Sequence, residues 1–90
     1  MQHYRILDGG RINDRPALHA ELQKVLDLPG YYGRNLDALY DCLTDINEET
    51  TLLIIDAENI NNRLGEYAER FCKTLSDAAT ENKLFEYRLY

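Results

Sequence analysis

An α/β fold, a small three-stranded parallel sheet with its helices packed largely on one side, is what this 90-residue chain predicts, and three observations carry that expectation. Short β-prone runs lie at Tyr4–Leu7, Leu52–Ile55 and Leu84–Tyr90. Stretches with helical spacing separate them, and strands separated in this way pair in parallel through right-handed crossovers. No repeat, linker or low-complexity segment interrupts the chain. A chain of this length buries about two-thirds of its unfolded surface, enough for one modest core, so residues 1–90 are expected to form one domain.

Taken in order, Tyr4-Arg5-Ile6-Leu7 is a short strand that Asp8-Gly9-Gly10 ends as a turn would. Asn13 and Asp14 offer helix caps and Pro16 suits a first turn. Leu18, Leu22, Val25 and Leu26 then carry a first helix to about Leu26. His19 falls one position after an apolar residue and is expected at the surface or its boundary, while His3 carries no information. Leu52 to Ile55 is a continuous apolar run, as in a strand covered on both faces, and Asp56 ends it. The stretch from Glu58 to Asn62 is compatible with a short helix or an irregular crossing. From about Leu64, the residues Leu64, Tyr67, Ala68, Phe71, Leu75, Ala78 and Ala79 form the longest amphipathic stripe, with Asp77 and Glu81 on its outer side. Phe85, Tyr87 and Leu89 alternate with Glu86, Arg88 and Tyr90, a half-exposed closing strand.

The informative stretch runs from Leu28 to Asp45. Leu36, Leu39, Tyr40 and Leu43 place one apolar stripe on a helix that Asn35 can cap. Asp37, Asp41 and Asp45 recur every four residues, stacking three carboxylates on a second face with Thr44 beside them. Each like-charge spacing costs an isolated helix roughly 0.2–0.5 kcal/mol, and only Asp37 lies where the helix dipole favours an anion. A solvated face is the commoner outcome for a charge run. The alternative is a surface prepared for a cationic partner. Upstream, Pro29-Gly30 and Gly33 bracket Tyr31-Tyr32 in a turn-rich loop at the mouth of this helix. One such tyrosine belongs in the core; adjacent loop residues rarely both point inward.

Charge narrows the function. The net charge is −6, which disfavours direct nucleic-acid binding, and −4 of it lies within residues 31–50, where Arg34 is the only base. Such a field steers a basic protein toward one patch. Cys42 and Cys72 lack any CxxC or Cys/His ligand spacing and are expected to be buried, reduced thiols. There is no signal-peptide pattern and no apolar run of membrane-spanning length, so a cytoplasmic protein is expected. Asp37 and Asp41 form an acid/base pair in spacing only, with no nucleophile, phosphate loop or calcium-loop pattern near them. Neither enzymatic activity nor a metal or other cofactor is expected.

The run Tyr31-Tyr32-Gly33, Asn35 to Leu39 and Asp41 to Thr44, YYGxNLDALxDCLT, resembles the signature of the barstar family, intracellular inhibitors of secreted ribonucleases. Weaker similarity extends over the whole chain. The resemblance implies a barstar-like fold and a monomeric inhibitor of antitoxin or immunity type, which binds a basic ribonuclease one-to-one and plugs its active site. It puts Asp41 at the centre of the contact, Asp37 and Thr44 beside it, Tyr31, Gly33 and Asn35 on the loop, Tyr40 at the helix edge and Asp77 as an outlying contact. The family pattern has an acidic residue at Arg34, a glycine at Asp45 and tryptophans at Tyr40 and Ile46. Those departures leave open a different nuclease or another basic toxin as the partner.

Overall fold

The computed structural model describes residues 3–90. Its elements are β1 (His3–Asp8), a 3-10 turn at Gly9–Arg11, α1 (Arg15–Val25), α2 (Leu36–Thr44), β2 (Thr50–Ile55), α3 (Ala57–Leu64), α4 (Glu66–Glu81) and β3 (Phe85–Leu89). The sheet has the order β1-β2-β3 and is parallel throughout, with Tyr4 beside Thr51 and Thr51 beside Glu86.

Alternation along the strands sets the layers. Leu7, Leu52, Ile54 and Phe85 point to the side where Leu18, Leu22, Leu39, Leu43, Phe71 and Leu75 of the helices are also fully buried. The other face of the sheet lies open, with Tyr4, Ile6 and Ile55 exposed and Leu53 half-buried. This corrects the expectation that Leu52–Ile55 is covered on both faces. The helices lie on one side, so β2 is central to the sheet yet only partly covered on its other face, where Thr51 is buried and Ile55 is exposed.

Local rules place most boundaries. The Asp14 carboxylate accepts from Ala17 N–H at 2.8 Å and starts α1, with Pro16 in its first turn. Gly9 is obligatory in the turn after β1, because a Cβ there would lie 2.3 Å from the Asp56 carbonyl oxygen. The undecided stretch 58–62 is helical and belongs to α3, and Leu64 is the last residue of α3 rather than the first of the long helix. Gly65, at φ +55°, makes the break between α3 and α4.

Candidate functional site

The loop before α2 is built by short-range hydrogen bonds. Tyr32 N–H donates to Pro29 O at 2.9 Å, closing a turn that separates the two tyrosines. Tyr31 is 89 % exposed and Tyr32 is buried. Gly33 packs tightly beside Ala38, and Arg34 adopts a left-handed φ of +54° that reverses the chain into the helix. Asn35 then caps α2: its Oδ1 accepts from Ala38 N–H at 2.8 Å, and its amide donates to Gly33 O at 3.2 Å.

The acidic face is as the periodicity placed it. Asp37 and Asp41 are exposed on α2, and Asp45 is exposed at the C-cap. None of the three has an ion-pair partner among the described residues. Thr44 turns its hydroxyl back onto the helix, donating to Tyr40 O at 2.9 Å. Tyr40 is half-buried at the edge that packs toward α4. Between α2 and α4 runs a groove of about 430 Å³ lined by Asp37, Tyr40, Thr74, Asp77 and Glu81. Asp77, remote in sequence, thus lies across a groove from Asp37. It pairs with Lys73 at 2.8 Å, an exposed contact that pushes the lysine's pKa up. Tyr31, Gly33, Asp41 and Thr44 lie outside this groove.

Residues 2–90 match the family model described as Barstar (barnase inhibitor). The chain belongs to the barstar family. YrdF of Bacillus subtilis (strain 168), provisionally named a ribonuclease inhibitor, is 42% identical to it over 79 residues, 87% of each chain. The family description is that of an inhibitor and not of an enzyme.

Within this barstar-family chain, the main departure from expectation is His19. It is 2 % exposed rather than at the surface. Its Nδ1 lies 2.6 Å from the Tyr32 hydroxyl and its Nε2 2.7 Å from the Tyr67 hydroxyl, so one ring nitrogen donates and the other accepts. Burial first, and then the Arg34 charge, hold its pKa below the ordinary histidine value. Burial also pushes the Tyr32 hydroxyl well up, with Cys42 and Tyr67 adding to the effect and Arg34 opposing it. The histidine ties the loop that carries Tyr31 to α1 and α4. A signal for this existed: His19, Leu22 and Leu26 share helical spacing, but the aromatic partners are 13 and 48 positions away.

The cysteines also differ from expectation. Both are free, and both are half-buried rather than buried. Burial raises each thiol's pKa, and Asp45 and Asp41 raise that of Cys42 further. Among the described residues, no group of three His, Cys, Asp or Glu side chains is placed to hold a metal ion, and no helix is long and apolar enough to cross a membrane.

Proposed function

We propose that this barstar-family chain is a cytoplasmic, monomeric inhibitor that binds a ribonuclease one-to-one and blocks its basic active-site cleft with α2 and the preceding loop. The observation that carries the reading is the pair Asp37 and Asp41, exposed on a capped helix and without ion-pair partners among the described residues, beside a tyrosine that is 89 % exposed. The family description and the name of the Bacillus relative support it.

A ribonuclease cleft gathers cationic side chains to hold phosphate, and carboxylates on a rigid helix stand in for that phosphate, arginine engaging them bidentately. Asp41 takes the centre, with Asp37 and Thr44 beside it. Tyr31, Gly33, Asn35 and Tyr40 cover the base-binding part of the cleft, and Asp77 contacts its rim. Arg34, Asp45 and Ile46, which depart from the family pattern, favour a partner other than barnase, either another secreted nuclease or a basic toxin.

The test is titration of barnase and of a panel of basic secreted ribonucleases with the chain and with two variants, using RNA cleavage as the readout. At least one enzyme should lose activity at a one-to-one ratio. Asp41→Ala should weaken that inhibition by roughly 2–5 kcal/mol, mostly through the off-rate, because it strands a buried cation. The barnase–barstar interface is itself the established example of an aspartate hot spot of this kind, so the magnitude is borrowed from that family. Asp45→Ala, at the rim, should change the inhibition little. Equal effects of the two variants would leave only a diffuse acidic face.

A further inference from the structure

At the start of α2, adjoining the acidic groove and sharing Leu36 and Asp37 with it, this acidic protein collects arginines. Arg15 of α1, Arg34 of the loop and Arg70 of α4 line one open hollow of about 660 Å³. No carboxylate lies within ion-pairing distance of any of them among the described residues. They come from three separate parts of the fold, and each is held in place. The Arg15 guanidinium lies 4.2 Å from the centroid of the Tyr67 ring and that of Arg70 5.3 Å from it. Arg34 donates from Nη2 to Gln23 Oε1 at 3.0 Å. Like charges gathered in this way repel one another, and an anion relieves that repulsion.

We propose that this hollow is a binding site for the phosphate of a small phosphate monoester. Three guanidiniums against one lining carboxylate, Asp37, leave two positive charges, which matches the roughly −1.5 to −2 of a monoester near pH 7. A guanidinium presents a planar fork of donors suited to phosphate oxygens. The volume lies within the roughly 300–1,000 Å³ range of small-molecule sites, so it accepts the phosphate with an organic group attached. His19 closes the floor without competing, since both its ring nitrogens are engaged by tyrosine hydroxyls. The site shares Asn35, Leu36 and Asp37 with the start of α2, yet it needs no assumption about the nuclease.

The experiment is an NMR titration of the isotope-labelled full chain with inorganic phosphate at about pH 7.5, where the dianion dominates, with sodium chloride holding the ionic strength constant. A parallel titration uses dimethyl phosphate, the monoanionic mimic of a nucleic-acid backbone. Saturable shifts confined to the side chains of Arg15, Arg34 and Arg70 and the amides of Asn35 to Asp37, stronger for phosphate than for dimethyl phosphate, are the expected result. Arg34→Gln and Arg70→Gln should each lower phosphate affinity roughly tenfold, with the rest of the backbone spectrum unchanged. Shifts that never saturate, an equal response to the two anions, or variants that bind phosphate as tightly as the parent would each overturn the assignment.

Discussion

A single buried imidazole joins α1, the loop before α2 and α4 through partners 13 and 48 positions away. His19 accepts from one tyrosine hydroxyl and donates to another, and protonating it would force both ring nitrogens to donate. Its pKa is lower folded than unfolded, so the unfolded chain binds the proton more readily. Stability is therefore full above the unfolded value of about 6.5 and declines as the pH falls below it toward the folded value. Urea midpoints measured from pH 7.5 down to 5 should show that decline for the parent chain. His19→Ala should lose the histidine's share of it. It should also cost roughly 1–3 kcal/mol for each hydroxyl left without a partner. A pH dependence identical in the two proteins would remove His19 from this role.

At the scale of elements, α2 is pinned at both ends, and by asparagines. Asn35 caps its start, and the Asn82 amide, from the turn after α4, donates to Leu43 O at 3.0 Å and Ile46 O at 2.9 Å. Those bonds add acceptor partners where the helix runs out, at Leu43 O, which otherwise receives a long bond from Ile46 N–H at 3.4 Å, and at Ile46 O just beyond it. Asn82→Ala should destabilise the fold by roughly 1–3 kcal/mol, read as a lower denaturant midpoint at unchanged slope. An unchanged midpoint would show that α2 needs no such clamp. The Asn35 cap was legible in the sequence because it acts over three residues, and the stripe of Leu36, Leu39 and Leu43 was legible because it repeats at the helical period. The Asn82 clamp was not, since its acceptors are 36 and 39 positions away. Nor was α3. Its segment offers Ile60 as its one fully inward apolar residue, and what fastens it is Asn59, donating to Gly9 O at 2.8 Å and Ile12 O at 3.1 Å. The open face of the sheet was misread for a related reason. An apolar run in β2 reports strand propensity and not which layers exist above and below it. The position of Asp77 opposite Asp37 depends on how α4 packs against α2, and only the resemblance pointed to it.

Over the whole molecule, charge is arranged more sharply than its sum of −6 suggests. Arg15, Arg34 and Arg70 gather around the start of α2, Asp77 and Glu81 line the groove farther along the seam between α2 and α4, and Asp37 borders both. A basic cleft approaching α2 is drawn to the acidic side and turned away from the arginines, so the field orients the encounter as well as accelerating it. Salt screens that field over a Debye length of ~8 Å at physiological ionic strength. The decisive measurement is the stopped-flow association rate with the ribonuclease that the chain inhibits, taken over a range of salt concentrations for the parent and for a variant carrying Asp37→Asn and Asp41→Asn. A steep fall in rate with salt for the parent, and a slower and much flatter dependence for the variant, is the predicted result. A parent rate indifferent to salt, or a variant that follows the parent's curve, would contradict the claim that this helix face is what enters the cleft.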